Sequence, residues 1–463
     1  MDDPFRAAYT AGAPEPVTAG GNPPPARELL SRRAPPEAVA LKGCVLTRED
    51  RLDPGHVVVG EGGIQAVQAA APDGVRVLDT GGVILPGLID LHGHPEFNVF
   101  SAWEPPQRYA NRYAWRESDL YHQLVRDPQN KLMATLPAWT QLRYAEIRAL
   151  TGGVTAIQGS GTQATQHQDE ALVRNVDKWI FGGQVGRAMI DLPSDSRGMD
   201  ELTSVLHGIA HGSVKAFYIH LAEGRSDDPR STAELGTLAG LGGLTAHTVV
   251  IHGTALSADQ LGQLHDAGAK LVWSPESNLR LYGKTTLAAS ALQLGVPVGL
   301  GADWLPSGST SLLAEMKVAR RCLTLQSGSD PGARLLVDMV TKDAALIAGL
   351  DDRLGVLEAG RPADITVFER VHEDPWESVL RSEPAQVELV LIGGDVVYGR
   401  PVLVEALVGK DAVGRYEQEI AWGEPMLLHT GFRAHPGAQQ IPTLSRLRAA
   451  LIDAYPRVGP IYA

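Results

Sequence analysis

Residues 85–97, LPGLIDLHGHPEF, decide the fold of this chain, because a short apolar run ends there in the histidines His92 and His94. Three later apolar runs end in the same way, in AFYIHLAEG (216–224), TVVIHGTAL (248–256) and VPVGLGADW (296–304). Each run is typical of a buried strand with a polar side chain at its end. Strand ends that converge on one point build the active sites of β/α barrels, so the four runs predict a barrel with a metal site.

Strand-like and helix-like stretches alternate between about residues 86 and 354. The apolar runs predict strands at 152–158, 214–220, 248–252, 270–274 and 296–300. The intervening patterns predict helices at 134–150, 198–212, 257–268, 285–294 and 309–326. Because parallel strands need a crossover connection, this alternation indicates βα units, and eight of them closing into a (β/α)8 TIM barrel fit the length. The fold class is therefore α/β.

Short β-branched runs with glycine and aspartate turns flank the alternating region on both sides. We expect residues 38–85 and 355–405 to form one small composite β-sandwich, and residues 86–354 to form an uninterrupted hydrolase barrel. Residues 1–37 are rich in Pro, Ala and Gly, which predicts a flexible arm. Residues 406–463 form a C-terminal extension with helix-compatible pieces that the sequence does not place further.

Composition excludes several classes of protein. The formal net charge of −13 disfavours nucleic-acid and anionic-membrane surfaces, which would repel an acidic protein. The two cysteines, Cys44 and Cys322, lie far apart without CxxC spacing, which indicates a reducing cytosol rather than a disulfide framework. The start, MDDPFRAAYTAG, lacks the apolar core of a signal peptide, and no apolar run reaches membrane-spanning length. We therefore expect a cytoplasmic location.

The two histidines of the first run face the same way, because successive side chains of a strand alternate between its faces. His92 and His94 can thus bind one divalent cation together, and His220 and Asp303 are the natural completion of the ligand set. Zinc is the first expectation for the metal, and iron or manganese also suit these ligands. Asp303 is also expected to accept a proton from the attacking water. Its alternative is an ordinary turn aspartate.

Two further side chains complete the expected catalytic group. Glu223 follows His220 by three residues, where it can exchange protons with a metal-activated water without being a ligand. Its alternative is an exposed loop glutamate. His252 ends the next run, and we favour a substrate-facing role for it over a fifth ligand or a histidine bonded to a backbone carbonyl.

These motifs together resemble the amidohydrolase superfamily, in its mononuclear branch of cytosine and guanine deaminases, adenosylhomocysteine-type deaminases and triazine chlorohydrolases. The matching stretches are PGLIDLHGH, HLAEG, VIHGTAL, WSPESNLRLYG, GLGADW and KDAALIAGLDDRLGVLEAGRPADITVF. The resemblance covers about residues 38–400 and implies a distorted (β/α)8 barrel with a composite β-sandwich. No lysine stands at the end of the expected fourth strand, which disfavours a carbamylated binuclear site.

The resemblance also implies roles for single residues. His92, His94, His220 and Asp303 match the metal ligands, Glu223 matches the proton shuttle, and His252 matches the residue that contacts the attacked centre. Ser277 and Asn278 match a loop that helps to order the site, with a simple turn as the alternative.

The segment after His94, PEFNVFSAWEPPQRYANRYAWRESDLYHQL, departs from the deaminases and is where we expect substrate identity to be set. Its candidate substrate contacts include aromatic rings for a flat ring and a guanidinium for a carboxylate; they are Glu96, Tyr109, Arg112, Tyr113, Trp115 and Arg116. For the five residues from Tyr109 to Arg116, the alternative is the surface of an amphipathic helix. Trp304 is expected to narrow the mouth of the site, with core packing as its alternative.

The sequence therefore predicts a metal-dependent hydrolase that cleaves a non-peptide C–N bond in a small heterocycle, cyclic amide or amidine. The expected partner is a small-molecule substrate, and the resemblance favours a homodimer or larger homo-oligomer. The alternatives are a hydrolytic dechlorinase, a linear amide or carbamate hydrolase and a non-catalytic scaffold. A scaffold would be expected to have lost metal ligands, whereas all of them are present here.

Overall fold

The structure is a computed structural model that describes residues 37–137, 139–159, 172–177, 179–181, 183–430 and 443–462. The flexible arm expected at residues 1–37 lies outside the described residues, apart from its last position. Within the described ranges, no helix combines the length and the apolar character needed to cross a membrane.

The strands are short and numerous. In chain order they are β1 (Val39–Leu46), β2 (Arg51–Gly60), β3 (Gly63–Gln68), β4 (Arg76–Pro86), β5 (Leu88–Asp90), β6 (Val154–Ile157), β7 (Arg174–Asn175), β8 (Trp179–Ile180), β9 (Gly183–Gln184), β10 (Gly186–Met189), β11 (Ala216–Leu221), β12 (Thr248–His252), β13 (Lys270–Trp273), β14 (Val298–Leu300), β15 (Ile365–Phe368), β16 (Val387–Ile392), β17 (Asp395–Gly399), β18 (Glu417–Ala421) and β19 (Glu424–Leu428).

The helices mostly connect the parallel strands. In chain order they are α1 (Arg112–Arg116), α2 (Asp119–Tyr121), α3 (Asp127–Thr135), α4 (Trp139–Thr151), α5 (Ser196–Ala210), α6 (Pro229–Gly240), α7 (Ala258–Ala267), α8 (Pro275–Tyr282), α9 (Ala288–Gln293), α10 (Leu312–Ser327), α11 (Ala333–Asp338), α12 (Lys342–Ile347), α13 (Pro375–Arg381), α14 (Pro401–Val408), α15 (Lys410–Val413) and α16 (Leu444–Ala454). A π-helical turn at His122–Arg126 joins α2 to α3.

Eight parallel strands form two sheets, in the orders β5-β6-β7 and β10-β11-β12-β13-β14. Backbone hydrogen bonds join the two sheets next to the histidine pair. The amide of Leu91 donates to Leu300 O at 3.2 Å, and the amide of Asp303 donates to His92 O at 2.9 Å. The parallel α/β arrangement expected from the sequence is therefore present, and the ends of β5 and β14 meet.

The alternation of side chains along β11 shows how these strands are buried on both faces. Phe217, Ile219 and Leu221 belong to a large apolar cluster that includes side chains of the surrounding helices. Ala216 and Tyr218 point the other way, into a cluster with apolar side chains of β5, β12 and β13. A strand that is apolar on both faces is typical of a parallel sheet covered by helices.

A nine-stranded sheet combines both ends of the chain, in the order β18-β19-β17-β16-β15-β4-β1-β2-β3. Its two halves meet where β15 pairs antiparallel with β4, from Ile365 opposite Pro86 to Phe368 opposite Val83. The strands on either side of the parallel region therefore share one sheet. Strands β18 and β19, which follow residue 405, extend that sheet at one edge.

Two expectations about helices were wrong in detail. The helix expected at 134–150 is divided, because α3 ends at Thr135 and α4 begins at Trp139, with Pro137 between them. Proline lacks an amide donor and restricts the residue before it, so it separates the two helices. The PESN stretch, expected as a loop or a turn, forms the first residues of α8, with Pro275 at the first helical position, where proline is favoured.

Candidate metal centre

Four side chains from the ends of three strands, β5, β11 and β14, converge on one point. The ligand atoms of His92, His94 and His220 lie within 4.8 Å of one another. Asp303 Oδ1 lies 3.2 Å from His92 Nε2 and 3.5 Å from His94 Nε2. All four side chains are at most 4% exposed. The structure thus brings together the residues that the sequence suggested as ligands.

Close backbone packing holds the histidine pair against the end of β14. An isolated parallel bridge links Gly93 to Asp303. Gly301 lies so near the first histidine that an added Cβ would stand 2.4 Å from His92 Cβ and 2.5 Å from His92 N. Only a residue without a Cβ permits this approach, so Gly301, two residues before Asp303, lets His92 lie against the end of β14.

Three non-glycine residues of the site adopt left-handed backbone conformations. They are Ala222 with φ 52°, His252 with φ 69° and Asp303 with φ 61°. Such residues cost about 1–3 kcal/mol each and persist where the surrounding structure enforces them, often at functional sites. Here they occur where strands β11, β12 and β14 turn into the loops that carry the polar side chains.

Burial sets the charge state of the histidines. It lowers the pKa of His94 and of His220 well below the usual value, and it lowers the pKa of His252 to about 3. These imidazoles are therefore neutral at pH 7. For Asp303, burial is outweighed by His92, His252 and His94, so its pKa lies well below the usual range and the carboxylate is ionised.

The residues fit a divalent metal ion. Neutral imidazole nitrogens and an ionised carboxylate are the donors that zinc and similar ions take. His92 Nδ1 is buried and has no hydrogen-bond partner among the described residues. Buried polar atoms normally have a partner, and a bound ion or a water molecule can supply it. The four side chains can thus hold one divalent metal ion.

Glu223 lies beside this ligand set and is 3% exposed. Its Oε1 accepts a hydrogen bond of 2.5 Å from the Tyr282 hydroxyl, and its Oε2 lies 3.7 Å from His252 Nε2. Burial raises the pKa of Glu223 to about 7, although Arg112 and the Tyr282 hydrogen bond act in the opposite direction. A carboxyl group with this pKa can both accept and release a proton near neutral pH.

Helix α8 fixes the orientation of His252. The Asn278 amide Nδ2 lies 3.0 Å from His252 Nδ1, and because an amide nitrogen only donates, Nδ1 accepts and Nε2 carries the hydrogen that faces Glu223. The hydroxyl of Thr286 donates to His252 O at 2.6 Å. Ser277 forms a 2.8 Å hydrogen bond with the Ser307 hydroxyl and so links α8 to the loop after Asp303.

The segment after His94 contributes one face of aromatic side chains. Trp115 and Trp304 are 2% and 1% exposed, with ring centroids 5.4 Å apart, and the Trp304 ring lies 6.2 Å from the His94 ring. Glu96 is buried, and its backbone oxygen accepts from the Gln141 amide at 2.7 Å. The structure therefore brings Trp304 close to the candidate ligand His94, with Trp115 packed against Trp304.

The guanidinium groups of the same segment are bonded to carboxylates of the protein. Arg116 Nη1 donates to both oxygens of Asp191, at 3.0 and 3.2 Å. Arg112, which is 1% exposed, donates to Asp191 at 2.9 Å and to Glu234 at 2.8 Å. The Tyr113 hydroxyl accepts from Arg112 at 2.7 Å and donates to Glu234 at 2.9 Å.

Sequence reasoning missed the residues that support Glu223. Glu234 in α6 accepts from the amide of Ala222 at 2.7 Å, and the amide of Arg112 donates to Glu223 O at 3.1 Å. These bonds fasten the loop that carries Glu223 on both sides. The sequence offered no signal for Glu234, whereas Tyr282 stands in the same WSPESNLRLYG motif as Asn278.

Comparisons with known proteins agree with this geometry. Residues 205–397 match the model of the amidohydrolase family. A 5-methylthioadenosine/S-adenosylhomocysteine deaminase from Desulforudis audaxviator is 25% identical over 423 residues, which cover 81% of this chain and 94% of that protein. The sequence motifs, the family model and this relative point to the same superfamily.

Solved structures share the fold. An adenosine deaminase from Xanthomonas campestris with bound zinc has a TM-score of 0.62 at 17% identity, covering 77% of this chain and 92% of that one. An atrazine chlorohydrolase from Arthrobacter aurescens TC1, complexed with zinc, has a TM-score of 0.63 at 18% identity, covering 78% and 95%. Together with the family model, these matches confirm the resemblance to the amidohydrolase family that the sequence motifs indicated.

Proposed function

We propose that this protein is a metal-dependent hydrolase that cleaves a non-peptide C–N bond in a small heterocycle, most simply by deamination. The observation that carries this proposal is the position of Glu223, a buried carboxyl group beside the four-ligand cluster with its Oε2 3.7 Å from His252 Nε2. The names of the related deaminases support the same reaction class.

His92, His94, His220 and Asp303 would hold the metal. When bound, a divalent ion supplies Lewis-acid activation of a water molecule. Glu223 would then accept one proton of that water, directly or by way of Asp303, because both carboxyl groups lie beside the ligand cluster. The His252 Nε2–H donates to the substrate atom that gains negative charge. Glu223 finally delivers its proton to the departing nitrogen.

The substrate that suits this site is flat and carries no anionic group. Arg112 and Arg116 are the cations that act on the buried histidines, and both are bonded to Asp191, Arg112 also to Glu234. A substrate carboxylate would have to displace Asp191 or Glu234 from these guanidinium groups, and the displaced carboxylate would lose its charged partner, which is costly. Trp115 and Trp304 offer aromatic surface for a neutral heterocycle.

An activity screen tests the reaction class. The purified protein, loaded with zinc, is incubated with aminated and lactam heterocycles while ammonia, chloride and product mass are recorded. Ammonia with a mass gain of one indicates deamination, and addition of one water indicates ring opening or amide hydrolysis. Chloride release would instead identify a dechlorinase, and no turnover of any substrate by the metal-loaded protein would contradict the proposal.

Two substitutions separate the proposed roles. Glu223→Gln should retain the metal and lose turnover by at least about 100-fold, because a proton carrier contributes on the order of 10²–10⁴ in rate. His220→Ala should lose both metal and turnover. Metal content by mass spectrometry and kcat for both variants distinguish the roles, and undiminished turnover of the glutamine variant would exclude Glu223 as the proton carrier.

We also propose zinc as the physiological metal, a cytoplasmic location and a homo-oligomeric state. The two cysteines are free and buried, which suits a reducing compartment. The two parallel sheets are proposed to form one distorted (β/α)8 barrel over residues 86–354, beside a composite β-sandwich from residues 38–85 and 355–405. The hydrogen bonds between β5 and β14 support closure of the barrel at that seam.

A further inference from the structure

Tyr282 is the last residue of α8 and lies between two groups of the site. It is 2% exposed, and its hydroxyl donates to Glu223 Oε1 at 2.5 Å. The same hydroxyl accepts from Trp115 Nε1 at 2.9 Å. The three side chains come from different parts of the chain, and all three are buried.

The direction of this hydrogen-bond chain is fixed by its first member. An indole N–H is only a donor, so the Tyr282 oxygen must accept it, and the phenolic proton is left for Glu223. The Oε1 oxygen of Glu223 is then occupied as an acceptor. The Oε2 oxygen, on the His252 side, is left to exchange the proton.

Helix α8 presents two polar side chains to the site from one face. Asn278 and Tyr282 are separated by four residues, which places them above one another on a helix. The first contacts His252 Nδ1 at 3.0 Å, and the second contacts Glu223 Oε1 at 2.5 Å. A single rigid element therefore orients both members of the His252–Glu223 pair.

The C-terminal end of α8 is itself anchored, so the position of Tyr282 is well determined. Gly283 follows in the left-handed conformation with φ 70°, and its amide donates to Leu279 O at 2.9 Å. The amide of Tyr109 donates to Leu281 O at 2.8 Å. The segment that carries Trp115 is thus tied to the end of α8 by the backbone as well as by the indole.

We propose that Tyr282 is a positioning residue for the proton carrier Glu223, oriented in turn by Trp115, and that it makes Oε2 the oxygen that exchanges the proton. This inference rests on the proposed function. Among the described residues, the phenol is hydrogen-bonded to Glu223 and Trp115, so its effect on the reaction passes through the Glu223 carboxylate. Removing the hydroxyl should loosen that carboxylate and favour its protonated form, because a hydrogen bond to the charged form is lost.

The test compares Tyr282→Phe with the parent enzyme and with Tyr144→Phe. The control removes another buried hydroxyl, which donates to Gly459 O at 2.9 Å. For Tyr282→Phe we expect unchanged zinc content, KM within about twofold and kcat lowered by about 10- to 100-fold. Trp115→Phe should have a smaller effect, and the double variant should be no worse than Tyr282→Phe, because both changes break one chain.

A second readout needs no substrate. The carboxyl band of Glu223 is followed by infrared difference spectroscopy against pH in the zinc-loaded protein, with Glu223→Gln identifying the band. The titration midpoint should rise by about one pH unit in Tyr282→Phe and stay constant in Tyr144→Phe. The other titratable or charged side chains that face Glu223, which are Arg112, Asp303, His92 and His252, are the same in all variants.

The two readouts distinguish the possible failures. An unchanged midpoint, or a Tyr282→Phe enzyme with kcat within twofold of the parent, would overturn the positioning role. If the parent turns over no heterocycle, the proposed function fails, and the infrared midpoint alone then decides whether Tyr282 controls the Glu223 carboxylate.

Discussion

Gly301→Ala is the sharpest test of how this site is built. The new Cβ would lie 2.4 Å from His92 Cβ, whereas ordinary contacts of this kind fall at 3.4–4 Å, so His92 must move by about 1 Å. Metal–ligand distances tolerate only about 0.2 Å. We therefore expect the dissociation constant for zinc to rise at least about tenfold and kcat to fall about 100-fold, since a 1 Å misplacement of a catalytic group lowers the rate by about this factor. The free energy of unfolding should fall by about 1–3 kcal/mol from overpacking.

Gly262→Ala in α7 is the matched control, because nothing lies within 4 Å of its added Cβ. It should keep zinc and kcat and raise the stability by up to about 1 kcal/mol through helix propensity. The assay is zinc content after dialysis, kcat on the best substrate of the screen and urea unfolding. If Gly301→Ala keeps stoichiometric zinc and kcat within twofold, close packing of the β14 end does not position His92.

Three further predictions concern pH and metal. Burial raises the pKa of Glu223 to about 7, and the proton carrier must start the reaction unprotonated. We therefore expect kcat/KM to fall about tenfold for each pH unit below 7. A profile of kcat/KM that is flat from pH 5 to 9 would contradict this. Burial raises the pKa of Glu315 from 4.5 to about 8, so the folded protein keeps this carboxyl group protonated where the unfolded chain ionises it. As the pH rises from 4.5 to 8, the free energy of unfolding of the parent should therefore fall relative to that of Glu315→Gln, by up to about 1.4 kcal/mol per pH unit. Urea unfolding of both proteins at pH 5.5 and 8 measures this difference, and equal changes in the two proteins would refute the prediction. A chelator should lower the melting temperature of the parent, but not that of His94→Ala, because a ligand that binds the folded state stabilises it.

The parts of the site that depend on local pattern were readable from the sequence. The run TVVIH predicted a strand with the bounds of β12, because β-branched residues between turn signals leave little choice. His92, His94, His220 and Asp303 converge as expected, since all follow strands that run the same way. Parallel strands place their ends together whatever the loops between them do.

The missed features depend on contacts between residues that are distant in sequence. Glu234 reads as one polar residue of an amphipathic helix, and only the tertiary fold shows that it receives the amide of Ala222 and the guanidinium of Arg112. The same holds for Arg116, whose ion pair with Asp191 had no signal in the sequence; its role as a substrate contact stays a prediction. Pairing between side chains of opposite charge cannot be read from spacing when the partners belong to different elements.

The pairing of β4 with β15 also governs the order in which this protein can fold during synthesis. Strand β4 leaves the ribosome early, but its antiparallel neighbour is made only after the whole parallel region. Until then β4 has an open edge with unpaired backbone groups, which is a known route to association between chains. We infer that the open edge of β4 needs protection by chaperones until β15 is made, and that chains truncated before Ile365 should aggregate.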